Sequence, residues 1–154
     1  MLVRKFIHVG EFYIGARPTE VSTILGSCIA VCLYDKVQQI GGMNHYLVPL
    51  WNGNGLQSPK YGNVAIHRLV EAMLNIGCSL NHMEAKIFGG ANVIDTVNNE
   101  NMMVGRKNIV IAKEILSEYK IPITGQDVGG TRGRRIMLVS DTGKVMMKYI
   151  KETE

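Results

Sequence analysis

A cysteine at a glycine-containing bend and a histidine further along the chain have the residue types that nucleophilic catalysis needs. Cys28 follows Gly26 and Ser27, and His45 comes 17 residues after the cysteine. A nucleophilic cysteine needs an accessible bend, a base that removes its proton, and backbone N–H groups that hold an oxyanion. Gly26 and Ser27 allow such a bend and expose amides, and a hairpin-like return can bring His45 beside the thiol. The sequence therefore predicts a cysteine hydrolase with Cys28 as nucleophile and His45 as general base.

A third group usually orients the histidine of such a pair, and two hydroxyl side chains precede the bend. No carboxylate is well placed, because Asp35 lies in the turn between the two candidate strands. Counted back from Cys28 with the two-residue period of a strand, Ser22 shares the face of the cysteine and Thr23 does not. Ser22 is therefore the predicted orienting residue, with Thr23 as the alternative.

The other cysteines and histidines are predicted to be structural. Free cysteine is among the most buried residue types, so Cys32 in an apolar stretch and Cys78 at a helix end are expected to be inert. Three histidines, His8, His67 and His82, are expected to be structural or to lie at the surface. A conceivable set of four metal ligands lacks the paired close spacings of zinc sites, so no metal is predicted. The members of that set are Cys28, Cys32, His45 and His67.

Two glycine-rich segments, 88–92 and 127–135, lack the lysine of a phosphate-binding loop and the spacing of a dinucleotide-binding motif. One interpretation is that they are tight turns that only glycine fits. The other is that they form the rim of the site, with arginines 132, 134 and 135 facing an acidic partner. On the second interpretation the candidate oxyanion and substrate contacts, besides Gly26 and Ser27, are Gly89, Gly90, Thr131 and Arg132.

The pattern of apolar residues predicts the elements that must position these side chains. Strands are predicted over residues 3–9, 13–16, 21–25, 29–34, 40–48, 85–88, 121–128, 134–140 and 144–150, with 13–16 pairing with 3–9. Helices are predicted over 63–76 and 106–119, and a loop over 51–61. This order indicates an α+β protein in which helices cover a mixed, largely antiparallel sheet. No linker or repeat divides residues 1–154, so we expect a single domain.

Composition excludes several classes of function. Of the 154 residues, 46% are hydrophobic and 19% are charged, which is typical of a globular chain. No apolar run approaches the length of a membrane span, and no signal peptide is recognised. Three unevenly spaced cysteines favour a reducing cytoplasm over a disulfide framework. A net charge of +4 would attract an acidic partner but is too small to predict nucleic-acid binding.

Several motifs occur in the order found in one known family. They are LGSC at 25–28 with AVC at 30–32, GMNH at 42–45 with LVP at 47–49, KIFGGA at 86–91, GRKN at 105–108 and DVGGTRGR at 127–134. From about residue 5 to residue 150 the chain resembles CheD, the family of bacterial chemoreceptor glutamine deamidases.

The resemblance implies an α+β sandwich distantly similar to the catalytic domain of the cytotoxic necrotizing factor toxins. It implies hydrolysis of glutamine side-chain amides on methyl-accepting chemotaxis receptors in the cytoplasm, without a cofactor. Cys28 and His45 match the nucleophile and base of the family. The third catalytic position, a threonine six residues before the cysteine in the family, is Ser22 here, and Thr23 is its neighbour. Some members also bind CheC, a phosphatase.

Two alternatives remain open from the sequence. One is a regulatory module that holds a CheC-type phosphatase and catalyses nothing. The other is a different cysteine hydrolase, such as a peptidase, a transglutaminase-like enzyme or a methylesterase, because all of these pass through an acyl-enzyme.

Overall fold

The computed structural model of the chain describes residues 2–51, 53, 55–92 and 99–151, with the side chains of 99–103 left aside. These residues form nine strands and two α-helices, joined by loops and one 3-10 turn. The strands are β1 (Val3–Phe6), β2 (Phe12–Gly15), β3 (Thr19–Leu25), β4 (Ile29–Asp35), β5 (Ile40–Asn44), β6 (Met83–Gly89), β7 (Ile123–Val128), β8 (Arg134–Val139) and β9 (Val145–Tyr149). The helices are α1 (Gly62–Asn75) and α2 (Asn99–Glu118), and the 3-10 turn is Leu80–His82.

The strands form two sheets, each with both parallel and antiparallel pairs. The small sheet has the order β1-β3-β8-β9, and the large sheet has the order β2-β5-β4-β6-β7. The pairs β1–β3 and β6–β7 are parallel, and the other pairs are antiparallel. The predicted α+β class with a mixed, largely antiparallel arrangement is therefore confirmed.

Strand β4 lies at the centre of the large sheet and is buried on both of its faces. Ile29, Val31 and Leu33 pack with the buried residues of α1 and α2. Ala30 and Cys32 point the other way and pack against the inner face of the small sheet. The chain thus forms three layers, with helices on the large sheet and the large sheet on the small one. The uninterrupted apolar run of β4 follows from this double burial.

Helix α1 agrees with the prediction to within a residue. Its apolar residues recur at helical spacing and are buried against the large sheet. Gly77, at φ +102°, ends the helix by donating its N–H to the carbonyl of Leu74, while Cys78 donates to Met73. This is the left-handed glycine ending that lets the last carbonyls of a helix find donors.

The predicted pairing of residues 13–16 with 3–9 is wrong. β2 pairs with β5 in the large sheet, and β1 runs parallel to β3 in the small sheet. The turn between them is closed by bonds from the N–H of Glu11 to the His8 carbonyl and from the N–H of His8 to the Glu11 carboxylate. The turn carries the chain from one sheet to the other, and strand periodicity carries no information about that change.

Some predicted boundaries also differ from the structure. β5 ends at Asn44 rather than at residue 48, and α2 begins at Asn99 rather than at residue 106. One further bridge, between Tyr46 and Ile29, follows β5, and the chain then leaves the sheet, since the N–H groups of Leu47 and Val48 both donate to the carbonyl of Lys60. Residues 52 and 54 of the predicted 51–61 loop, and residues 1, 93–98 and 152–154 of the predicted domain, lie outside the described part.

Candidate active site

Cys28 lies on the short crossing between the two sheets. β3 of the small sheet ends at Leu25 and β4 of the large sheet begins at Ile29, so residues 26–28 connect the layers. The N–H of Gly90 donates to the Cys28 carbonyl at 2.9 Å, and the N–H of Ala91 donates to the Gly26 carbonyl at 3.0 Å. Cys28 is half-buried and packs at the edge of the inter-sheet core. The crossing is thus held by backbone bonds at Cys28 itself.

The register of β4 and β5 brings His45 next to Cys28. Ile29 and Tyr46 exchange backbone hydrogen bonds at 3.1 and 2.9 Å, which extends the antiparallel ladder past the end of β5. In this register His45 stands opposite Ala30, on the face turned toward the small sheet. Cys28 is its diagonal neighbour on that face, at a separation that long and aromatic side chains can span. The pairing therefore places the two residues on the same face of the large sheet, as diagonal neighbours.

A chain of hydrogen bonds sets the orientation and the tautomer of His45. The Oγ1 of Thr23 lies 2.8 Å from the carbonyl oxygen of Ile7 and 2.7 Å from Nδ1 of His45. A carbonyl only accepts, so the one hydroxyl proton of Thr23 goes to Ile7. Thr23 must then accept from Nδ1–H of His45. This leaves Nε2 unprotonated, and Nε2 is buried without a hydrogen-bond partner in the part of the chain that is described.

Burial keeps both members of the pair neutral. Desolvation, with a smaller contribution from the charge of His8, lowers the pKa of His45 to about 4. Desolvation raises the pKa of the Cys28 thiol to about 11, partly offset by a hydrogen bond from the backbone N–H of the same residue. The resting site is therefore a thiol beside a neutral imidazole.

The structure places Thr23, and not Ser22, against the histidine. Ser22 lies on the outer face of the small sheet, beside a groove of about 460 Å³ lined also by Arg135 and Met146. The prediction of Ser22 as the orienting residue is therefore wrong, and the alternative, Thr23, has the expected geometry. The count back from Cys28 assumed one continuous strand with a two-residue period. The strand ends at Leu25, so the direction of the Cys28 side chain is set by β4 and not by β3.

Among the predicted oxyanion contacts, three glycines are occupied in holding the crossing. The N–H of Gly90 donates to the Cys28 carbonyl, and the carbonyl of Gly26 accepts from the N–H of Ala91. Gly89, at φ +110°, lies so close to the Cys28 carbonyl that an added Cβ would overlap it. Gly90 is therefore not an oxyanion donor, contrary to expectation. The N–H groups of Ser27 and Cys28 donate to no backbone carbonyl within the described residues, which leaves them as the candidate donors.

The loop 129–133 lies beside this crossing. Gly129 donates its N–H to the Gly89 carbonyl, and the Gly130 carbonyl accepts from Asn92. Thr131 and Arg132 are exposed on this loop, and the Arg132 guanidinium stacks 4.8 Å from the ring centre of Tyr149. Both predicted contacts are thus at the rim next to the cysteine loop.

Arg134 is not one of the arginines that face solvent. Its side chain is 2% exposed, and its guanidinium donates to Asp127 Oδ1 and to the Gly129 carbonyl, each at 2.8 Å. The expectation that Arg134 faces an acidic partner is wrong. The strand period of β8 puts Arg134 inward and Arg135 outward, so alternation along the strand was the signal that could have separated them.

Sequence reasoning also missed Asn108. It is fully buried on α2, and its amide bonds the carbonyls of Ser27 and Leu47. It belongs to the GRKN motif, but nothing in the motif indicates what the side chain contacts.

Neither a metal centre nor a membrane span emerges from the described residues. They bring no three His, Cys, Asp or Glu side chains together as metal ligands, and no helix among them is long and apolar enough to cross a bilayer.

Comparisons with known proteins are consistent with one another. The family model described as CheD chemotactic sensory transduction matches residues 49–149. A protein of Sulfurimonas denitrificans named probable chemoreceptor glutamine deamidase CheD is 54% identical over 98% of this chain and 97% of its own length. Proteins of the same name from Trichlorobacter lovleyi and Thermococcus kodakarensis are 44% and 37% identical, each over 94% of this chain and over 90% and 91% of their own lengths.

One solved structure is weakly similar. The crystal structure of Neisseria meningitidis protein NMB0706, assigned to DUF152, aligns with a TM-score of 0.43 and 8% identity over 84% of this chain and 62% of that one.

Proposed function

Because this chain belongs to the CheD family, we propose that it hydrolyses glutamine side-chain amides of chemoreceptors to glutamate and ammonia through a thioester on Cys28. Curated relatives of nearly the same length are named for this activity. The observation that carries the chemical proposal is Nε2 of His45, which is buried and has no partner among the described residues, while Thr23 holds Nδ1 of the same ring on the face shared with Cys28. A buried imidazole nitrogen without a partner is destabilising, so its retention favours a role in a reaction.

The proposed acylation begins at the neutral pair. Nε2 of His45 takes the thiol proton while Sγ of Cys28 attacks the carbonyl carbon of the glutamine amide. The backbone N–H groups of Ser27 and Cys28 hold the oxyanion. The imidazolium then gives its proton to the amide nitrogen, the C–N bond breaks, ammonia leaves, and a thioester remains.

In deacylation the same base acts on water. His45 takes a proton from water, the hydroxide adds to the thioester carbonyl, and the C–S bond breaks to release glutamate. The thiolate recovers its proton from the imidazolium. One water is consumed and one ammonia is released, and no redox change or cofactor is required.

The orienting hydroxyl limits the strength of the base. A hydroxyl oxygen stabilises an imidazolium less than a carboxylate does, and burial of His45 lowers its pKa further. The protonated imidazole is correspondingly a strong acid toward the leaving nitrogen. This balance suits slow, selective modification of a protein and not rapid turnover of a metabolite.

The proposal includes the setting of the reaction. The substrate is the cytoplasmic domain of a chemoreceptor, and the net charge of +4 with the exposed Arg132 and Arg135 would attract acidic segments of it. A CheC-type phosphatase is a further proposed partner. We also propose the likeness to the catalytic domain of the cytotoxic necrotizing factor toxins, which is supported here only by the layered mixed sheets.

Mass spectrometry of a chemoreceptor cytoplasmic fragment tests the activity. Incubation with the wild type should add about one dalton at specific glutamines, whereas Cys28→Ala should add none. The matched control is Cys78→Ala, which removes a buried thiol elsewhere and should keep the mass change. Backbone cleavage, cross-linking or loss of a methyl group would assign a different hydrolase. Tight binding without any mass change would assign the regulatory module.

A further inference from the structure

Asn108 joins the two backbone segments that carry the candidate catalytic pair. Its Nδ2 donates to the carbonyl of Ser27 and to the carbonyl of Leu47, both at 3.0 Å. Ser27 directly precedes Cys28, and Leu47 lies two residues after His45. The side chain is fully buried, so neither bond is weakened by water.

The orientation of this amide is unambiguous. Both contacts are carbonyl oxygens, which only accept, so the NH₂ group must face them. The Oδ1 of Asn108 is then directed elsewhere and is buried without a partner among the described residues. A group that leaves an orphaned acceptor in the interior is poorly explained as a device for stability alone.

The bonds lie where the ladder between the two strands has ended. Ile29 and Tyr46 form the last pair, and beyond it the N–H groups of Leu47 and Val48 turn to the carbonyl of Lys60. The carbonyls of Ser27 and Leu47 cannot bond to one another, and the Asn108 amide bridges them. The bridge therefore replaces the missing rung at the level of Cys28.

Helix α2 is itself held at this point. The hydroxyl of Tyr46 donates to the carbonyl of Asn108 at 2.5 Å. One turn earlier, Gly105 approaches so closely that an added Cβ would lie 2.7 Å from the carbonyl oxygen of Gly90. Asn108 thus projects from a fixed helix and not from a loop that could follow the strands.

We propose that Asn108 is a positioning residue that fixes the spacing between the thiol of Cys28 and the imidazole of His45. The proposal rests on the catalytic function proposed above. It predicts that losing the amide lowers the rate of proton transfer and attack while substrate binding is retained. A displacement of about 1 Å in such a pair costs roughly 100-fold in rate.

Two variants remove the bridge in different ways. Asn108→Asp keeps the shape but presents oxygens to two carbonyls, and Asn108→Leu removes the donors without adding charge. For both we expect kcat for ammonia release to fall by about 30- to 100-fold with KM changed by less than about twofold. Tyr119→Phe is the matched control: Tyr119 directly follows the last residue of α2, and its hydroxyl contacts His67 of α1 at 2.6 Å. It should lower thermal stability without lowering kcat.

A second readout needs no receptor. Iodoacetamide alkylates Cys28 when the thiolate displaces iodide and the thiol proton is removed by the base. At about neutral pH the alkylation rate of both Asn108 variants should fall to that of His45→Gln, and that of Tyr119→Phe should equal the wild type. Wild-type alkylation rates in the Asn108 variants, or a kcat loss no greater than in Tyr119→Phe, would overturn the proposal.

The two proposals fail in distinguishable ways. If the wild type releases no ammonia from any receptor fragment, the proposed function fails, and alkylation still decides whether Asn108 positions the pair. If neither Asn108 variant folds, Tyr46→Phe decides, because it removes only the bond that anchors α2. A several-fold loss of kcat at constant KM in Tyr46→Phe would then support the proposal, and an unchanged kcat would refute it.

Discussion

The two ends of β4 each hold a buried polar side chain, and they satisfy it differently. At one end both carboxylate oxygens of Asp35 are used, accepting from the N–H groups of Val37, Gln38 and Ser79 at 2.8–2.9 Å. At the other end His45 bonds Thr23 through Nδ1 and leaves Nε2 without a described partner. Both side chains are buried, so the two ends differ in whether a polar atom of the side chain lacks a hydrogen-bond partner. The saturated side chain holds loops together, and the unsaturated one is the base in the function proposed above.

The cysteines at the two ends show the same contrast. Cys78 lies beside Asp35, and burial followed by the negative charge of that carboxylate raises its pKa to about 11. Burial raises the pKa of Cys28 to about 11 as well. The pKa of the thiol therefore does not separate the two sites. What separates them is the neighbouring acceptor: Cys78 lies against a carboxylate that already accepts from three backbone N–H groups, whereas Nε2 of His45 has no partner among the described residues.

The largest expected effect comes from removing each of these two thiols separately and comparing the losses. Cys28→Ala should reduce deamidation by about 10⁴-fold or more, because the nucleophile is lost. Cys78→Ala should leave kcat within about twofold and lower only the free energy of unfolding. Ammonia release and thermal melting measure the two quantities. Equal losses of activity in the two variants would abolish the distinction between the ends of β4.

Removing the hydroxyl that holds the imidazole should have the next largest effect. Thr23→Val keeps the shape but leaves Nδ1 without an acceptor, so we expect kcat to fall by about 10- to 100-fold. Ser22→Ala, on the outer face, should change kcat by less than about twofold. Steady-state kinetics of the two variants decide which hydroxyl orients His45. A larger loss in Ser22→Ala would restore the assignment based on the family pattern.

At the opposite end the effect should fall on stability. Asp35→Asn turns one acceptor into a donor that faces the N–H of Ser79, and we expect it to cost about 1–3 kcal/mol in the free energy of unfolding. The kcat should be unchanged. Urea unfolding provides the measurement. A variant as stable as the wild type but catalytically impaired would show that this end also takes part in the reaction.

The smallest expected effect is a difference in the response to acid. The pKa of His45 is lowered to about 4 in the fold from an ordinary value of 6.5, so the unfolded chain binds a proton first as the pH falls. This residue therefore lowers stability progressively between those two values. For Asp35, burial raises the pKa, but three backbone N–H groups outweigh it and the net pKa is lowered. The contribution of Asp35 is therefore present above the ordinary carboxyl pKa and is lost only at lower pH.

Unfolding free energies at about pH 7 and about pH 5 separate the two ends. His45→Gln should lose less stability over this interval than the wild type, while Asp35→Asn should show the same slope as the wild type. Identical slopes for wild type and His45→Gln would show that the folded pKa of His45 is not depressed.

Much of the large sheet and of α1 could be predicted, because their information is local. The apolar run of β4 and the helical spacing of α1 are visible in short windows of sequence. The partner of β1 could not be read, since β1 and β3 meet only after the chain has crossed between sheets. The same limit applies to the site. Cys28 and His45 were recognisable by type and motif, whereas Thr23 depended on a broken strand period and Asn108 on where a distant helix packs.

The carbonyl of Ile7 has a consequence for how the protein can be shortened. If a truncated form began after residue 7, the Thr23 hydroxyl would lose its acceptor and could turn its proton toward Nδ1 of His45. The imidazole would then carry its own proton on Nε2, the atom that must be unprotonated in the proposed mechanism. A deletion that leaves Cys28, His45 and Thr23 in place would thus convert the proposed base into a donor, in addition to removing β1 and the buried side chain of Ile7.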